Sequence, residues 1–187
     1  MTKDKQYWVR TGYDICSFEG IDRLKVEYVA KKVGVSKSSF YHHFGDIAGF
    51  LDALIEYHYE RCVLLASKEK ECTKIHPDLI VILLEHKVDL LFHRQLRVNR
   101  DNREIQEALS KSQQLLGNYA VMLWAKSLNV DLSTFQLEAL FEIATDDFYM
   151  QITKDNLNYE FLSSYFKNLS RVSRLLNHRC TPPSKKL

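Results

Sequence analysis

Residues 25–44, KVEYVAKKVGVSKSSFYHHF, constrain this chain more than any other stretch. Val26, Val29, Ala30 and Val33 recur at i, i+3, i+4 and i+7, so they share one face of a short helix. Gly34 supplies the left-handed residue that ends it. Val35 packs back, and Ser36 is placed to cap the next helix by accepting a backbone N–H near Ser38 or Ser39. That helix runs only from Lys37 to Phe44. Phe40 and Phe44 fall on one face, toward a core, while Ser38 and His42 fall on the opposite face with Lys37 and Tyr41 at the boundary. Two short helices joined by Gly-Val-Ser, the second with an exposed polar face, describe a helix-turn-helix.

Beyond this motif the chain is poor in breakers. Only 6 Gly and 3 Pro occur in 187 residues, and Pro182 and Pro183 lie close to the C-terminus, which points to an all-α fold. Apolar residues at 45% and charged residues at 27% give the balance of a soluble globular protein with one sizeable core or two small ones. Cys16, Cys62, Cys72 and Cys180 include no CxxC pair and read as reduced thiols, the expectation for a cytoplasmic chain. MTKDKQYWVR has no apolar leader pattern, and the longest apolar run, LIVILL at 79–84, is far short of the ~20 residues a bilayer needs. No membrane partner is expected.

In order, residues 3–19 read as a first helix carrying Tyr7, Trp8, Ile15 and Phe18, stopped by Gly20. After the helix-turn-helix, Gly45 and Asp46 end one helix and cap a long one from about Ile47 to Lys70. KEKECTK, 68–74, is a polar break. Pro77 fits the first turn of a helix through Phe92. HRQLRVNRDNRE, 93–104, reads as a charged connection, and a helical stretch follows to about Ser127. Ser133 with Gln136 makes a capping-box start for a helix reaching Lys154. A last helix spans Tyr159 to His178, and TPPSKKL frays. The organisation expected is a three-helix head, residues 1–46, fused through the long fourth helix to a helical bundle, residues 47–187.

The last two helices carry more apolar surface than one core needs. Phe161, Leu162, Tyr165, Phe166, Leu169, Val172, Leu175 and Leu176 form a broad stripe, and Leu137, Leu140, Phe141, Ile143, Ala144, Phe148, Met150 and Ile152 nearly encircle the helix before it. A helix apolar on more than one side is buried on more than one side, so a homodimer through residues 133–178 is expected, beside the plainer reading of a generous monomeric core.

Charge is also uneven. Residues 23–43 hold Arg23, Lys25, Lys31, Lys32 and Lys37 against Glu27 alone, a local +4 in a chain whose net charge is +2. A basic block on a helix-turn-helix suggests a polyanion contact; a solvated face is the plain alternative.

Phe18-Glu19-x-Ile21 around Gly20, Val29-Ala30, Gly34-Val35-Ser36 and Phe40-Tyr41-x-His43-Phe44 together resemble the signature of the tetracycline-repressor (TetR) family of bacterial regulators. The resemblance covers about residues 7–60. It implies a DNA-binding transcriptional regulator, most often a ligand-responsive repressor acting as a homodimer on a pseudo-palindromic site, with an unknown small-molecule effector entering the C-terminal body. Carried over by position, it places Lys25 near a phosphate, Ser36 and Lys37 at the start of the recognition helix, Tyr41 and His43 on phosphates, and His42 in the major groove. Lys37 suits guanine N7 or O6, and Ser38 and Ser39 are small enough for close approach. One departure stands out: Ile47 occupies the position where many members carry a lysine. A helical interaction protein that keeps this fold but has lost DNA binding is therefore the alternative.

Other clusters carry less. His42 and His43 are adjacent and point about 100° apart, so they cannot chelate one ion. His86, Asp89 and His93 share a helix face and suit either a metal, a small helical enzyme's site, or simple hydrogen bonding, the last being commonest. Cys62, Cys72 and His76 lack a zinc spacing, so no metal and no cofactor is expected. Arg94, Arg97, Arg100 and Arg103 recur every third residue and read as a solvated connection because Asp101 and Glu104 intervene. Tyr57, Tyr59, Tyr119, Trp124, Phe148 and Tyr149, with Asp146 and Asp147, suit an effector pocket, yet no spacing singles one out. GxGxxG, GxSxG, P-loop and HExxH are all missing, and nothing asks for catalysis.

Overall fold

The computed structural model describes residues 4–128 and 133–179. Among them are ten α-helices and no strand: α1 (Lys5–Glu19), α2 (Val26–Val33), α3 (Lys37–Phe44), α4 (Ile47–Glu71), α5 (Ile80–Glu85), α6 (Lys87–Val98), α7 (Arg103–Leu116), α8 (Tyr119–Leu128), α9 (Thr134–Gln151) and α10 (Tyr159–Arg179). The all-α class is as expected. The chain divides into two compact units, one of residues 1–66 with 86–117, the other of residues 67–85 with 118–187.

The first unit is built on aromatic packing. Trp8 of α1, Val29 and Val33 of α2, Phe40 of α3, Phe50 and Leu54 of α4, and Phe92 and Leu96 of α6 are all fully buried in one cluster. Phe40 meets Trp8 edge-on at 5.5 Å and Phe50 at 5.2 Å, which pins the two-turn α3 onto α1 and α4. Each such side chain contributes about 1.5–3 kcal/mol through burial. An eight-residue helix could not persist in water without it. Gly34 adopts φ 79°, ψ 33°, the left-handed stop anticipated for α2, and Asp46 Oδ1 accepts the Gly49 N–H at 2.9 Å at the start of α4.

The structure corrects the middle of the chain. His76 is extended (φ −107°, ψ 123°), and the helix that follows is not continuous to Phe92 but breaks at His86 (φ −100°, ψ 23°). His86 then sits at the head of α6 with Nδ1 2.7 Å from Asp89 Oδ2. Nor is 93–104 a charged connection. α6 continues to Val98 because Leu90, Leu91, Phe92 and Leu96 bury one face, and Arg97 is drawn in with them at 4% exposure. Only a turn at 99–102 separates it from α7, where Asn102 accepts the Glu104 and Ile105 N–H groups. The helical stretch expected to run to Ser127 is two helices, divided at Gly117 (φ 65°).

In the second unit the capping box of Ser133 and Gln136 is present. α9 stops at Gln151, short of Lys154, because Thr153 and Asn156 close a turn on each other: Asn156 Oδ1 accepts the Thr153 N–H at 2.7 Å, and Thr153 Oγ1 accepts the Asn156 N–H at 3.2 Å. α9 and α10 are joined by the Tyr165 hydroxyl, which donates to the Ala144 carbonyl at 2.6 Å, and by Phe148 against Tyr165 at 5.3 Å. Of the α10 stripe, the Leu175 and Leu176 side chains lie outside the described residues, as does TPPSKKL.

Candidate nucleic-acid interface

Lys25 occupies the N-cap position of α2 with extended backbone (φ −112°, ψ 135°) and an exposed side chain. Ser36 occupies the N-cap position of α3, but its hydroxyl makes no capping bond, contrary to expectation. Its carbonyl instead accepts the Ser39 N–H at 3.1 Å, closing the first turn through the backbone. The Ser36 side chain is thus exposed at the head of α3, and a helix N-terminus favours an anion.

Along α3, Lys37, Ser38, Tyr41 and His42 are exposed, Ser39 and His43 are half-buried, and Phe40 is wholly inside. Tyr41 is 52% exposed and stands edge-on to Phe40 at 5.8 Å. Every residue of the sequence-based set therefore lies on one short segment or at the start of the helix before it. Lys37 carries a feature that spacing did not show: its Nζ donates to Glu27 Oε1 of α2 at 2.9 Å. That bond raises the Lys37 ammonium and lowers the Glu27 carboxyl relative to their ordinary values. Both groups are solvent-exposed, so the pair is weak and a phosphate or base edge can compete for the ammonium. Lys32 pairs with Glu19 at 3.5 Å, whereas Lys25 and Lys31 form no ion pair among the described residues. Ile47 packs against the aromatic core, so the position where relatives carry lysine is apolar and turned inward here.

Residues 16–54 match the family of bacterial regulatory proteins known as the tetR family. This segment is similar to the TetR-family helix-turn-helix. The TetR-type architecture extends over the chain: a TetR-family transcriptional regulator from Rhodococcus sp. superposes with a TM-score of 0.55 at 18% identity, covering 91% of this chain and 96% of that one. A second from Mesorhizobium loti gives 0.51 at 14% identity, covering 89% and 95%. At such identities the likeness is one of fold. No curated protein matches the sequence. No helix among the described residues is long and apolar enough to cross a membrane.

Behind the helix-turn-helix lies a buried polar cluster that the sequence resolved only in part. His86 and Asp89 meet, but His93 turns the other way, so the three do not converge. Asp89 receives a two-pronged bond from Arg61 of α4 (Nε to Oδ1 3.0 Å, Nη2 to Oδ2 2.9 Å), and the Tyr13 hydroxyl of α1 donates to Oδ1 at 3.1 Å. Burial pulls the Asp89 carboxyl upward, but the bonds from His86 and Arg61 outweigh it and hold it below its usual range. His58, absent from the sequence-based set, sits 2.7 Å from the Tyr13 hydroxyl, 3.3 Å from His93 and 3.4 Å from Cys62. Burial lowers the His58 imidazole to about 3 and His93 well below its ordinary value, so both are neutral. The i, i+4 spacing of His58 and Cys62 was the signal available; the α6 partner was not.

In the second unit an open cavity of about 960 Å³ is lined by Lys74, His76, Lys126, Phe166, Lys167 and Arg171 among others. None of the eight aromatic and acidic residues considered from sequence for an effector lines it. Tyr57 packs on Tyr13, Tyr59 lies under Lys111 Nζ at 3.9 Å, and Trp124 is core.

Proposed function

We infer that the chain is a sequence-specific, DNA-binding transcriptional regulator, a ligand-responsive repressor that works in the cytoplasm as a homodimer on a pseudo-palindromic operator. The observation that carries this reading is α3 itself: Phe40 anchors it to the core while Ser36, Lys37, Ser38, Tyr41 and His42 project from its outer side. Lys25, Tyr41 and His43 are assigned to phosphates, and Lys37, His42 and the small Ser38 and Ser39 to base edges. Residues 1–46 act as the reading head and 47–187 as the effector and dimerisation body.

Dimerisation draws on α9, where Phe135, Ile143 and Met150 are 78%, 68% and 48% exposed on one side of the helix, and on Val172 of α10 at 50%. Large apolar side chains exposed on one side of a helix suit a second copy of the same chain. Two copies would then set their α3 helices about 34–36 Å apart, one turn of duplex. The effector is assigned to the basic cavity, whose lining among the described residues includes cations but no carboxylate, so it is an anion such as a carboxylate or phosphate ester. Titrating the protein with a mixed-sequence duplex at low and at physiological salt tests the reading. Binding should weaken steeply with salt. A protein that binds no duplex at low salt is instead an interaction module of the same fold, as Ile47 would suit.

A further inference from the structure

We propose that His58 Nε2, Cys62 Sγ and His93 Nδ1 form a binding site for a zinc-class divalent transition metal, buried between α4 and α6. The three ligand atoms lie within 4.8 Å of one another, and the residues are 1%, 2% and 1% exposed. His58 and Cys62 are four apart on one face of α4, and His93 reaches them from α6. Zinc bound at about 2.0–2.1 Å to nitrogen and about 2.3 Å to sulfur requires tetrahedral edges of about 3.3–3.4 Å between nitrogens and about 3.5–3.6 Å between nitrogen and sulfur. The observed edges are 3.3 Å from His58 to His93 and 3.4 Å from Cys62 to His58. Two of three edges are therefore already set, and the third, at most 4.8 Å, closes by no more than about 1.3 Å, within the reach of a χ adjustment.

The outer shell is also that of a metal ligand. Tyr13 donates its hydroxyl proton to Asp89, so its oxygen accepts from His58 Nδ1, 2.7 Å away. That fixes the proton on Nδ1 and aims the Nε2 lone pair at Cys62 and His93. Asp89 is in turn held by Arg61 and His86, which makes the orientation rigid. Two imidazoles and one thiolate favour zinc or cobalt over magnesium or calcium, which prefer oxygen. On binding, the Cys62 thiol loses its proton to solvent, the thiolate takes the metal, and a water fills the fourth position. A purely hydrogen-bonded trio would explain the same two short distances but would take up no metal. The proposal is independent of whether the chain binds DNA.

The experiment is equilibrium loading of the full chain with cobalt(II), followed by displacement with zinc(II). The expected result is one cobalt per chain, the intense visible bands of tetrahedral cobalt and a sulfur-to-cobalt charge-transfer band. Cys62→Ser should abolish the charge-transfer band and lower affinity by at least about tenfold, while Cys72→Ser changes neither. Zinc should raise the melting temperature of wild type in a concentration-dependent way and leave Cys62→Ser unmoved. If Cys62→Ser does not fold, X-ray absorption on zinc-loaded Cys72→Ser protein decides, with one sulfur at about 2.3 Å and nitrogen ligands at about 2.0 Å expected. Absence of cobalt uptake, an octahedral spectrum without the sulfur band, a band that survives in Cys62→Ser, or a zinc edge with no sulfur shell would each overturn the proposal.

Discussion

At Gly34 the backbone sits at φ 79°, and a Cβ built there meets nothing within 4 Å. A side chain at this point suffers from conformation alone, on the order of 1–2 kcal/mol for alanine and more for a β-branched residue. Gly34→Ala should therefore unfold at lower urea by about 1 kcal/mol, and Gly34→Val should also lose duplex binding; a valine variant of unchanged stability would remove the left-handed turn from the account. Glu69 is a different kind of residue-scale effect. Burial raises its carboxyl to about 7 from an ordinary 4.5. The folded chain thus holds a proton that the unfolded chain has released between about pH 4.5 and about pH 7, so this group's contribution to stability falls as pH rises through that window and is flat above it. Glu69→Gln should erase that slope and be more stable than wild type near pH 8 by up to about 2–3 kcal/mol. Parallel urea midpoints for both proteins across that range would refute this.

Among the elements, α1, α4 and α6 are held by Asp89, which takes bonds from Tyr13, Arg61 and His86 at once. Asp89→Asn keeps the volume but leaves the half-buried Arg61 guanidinium without its carboxylate, and should cost about 2–4 kcal/mol by chemical denaturation. A loss within a few tenths of zero would mean that the cluster only fills space. The same elements show what a one-dimensional reading can and cannot reach. α2, Gly34 and α3 were legible because their determinants are local: a period of 3.6, a glycine stop, and two aromatics four residues apart. The start of α9 was legible from Ser133 and Gln136 for the same reason. The break at His86 and the helical run to Val98 were not, because Arg94 and Arg97 look solvated until Leu90, Phe92 and Leu96 turn that face inward. Tyr13 and His58 are 45 residues apart, and no spacing rule joins them. Nor could spacing show that Gly12 leaves room for the Phe50 ring, where a Cβ would collide. The Lys37–Glu27 pair links adjacent helices and depends on their crossing.

For the whole molecule the expected assembly is a dimer through α9 and α10. Ile143, near the middle of α9, is 68% exposed, so Ile143→Glu should give monomers of unchanged helicity by sedimentation at micromolar concentration. A wild-type chain that sediments as a monomer at that concentration would exclude the interface. Loss of the dimer should also weaken operator binding, since each head alone reads only half a site. The proposed function requires that α3 reads DNA sequence. The measurement that tests this most directly is selection from randomised duplexes at one fixed salt, run for wild type, Lys25→Ala and Lys37→Ala. Wild type should return a two-fold symmetric motif, Lys25→Ala the same motif with uniformly weaker binding and a salt slope shallower by about one, and Lys37→Ala a motif relaxed about tenfold or more at particular base pairs. A Lys37→Ala protein that selects the wild-type motif unchanged, or a wild-type protein that selects none, would contradict it.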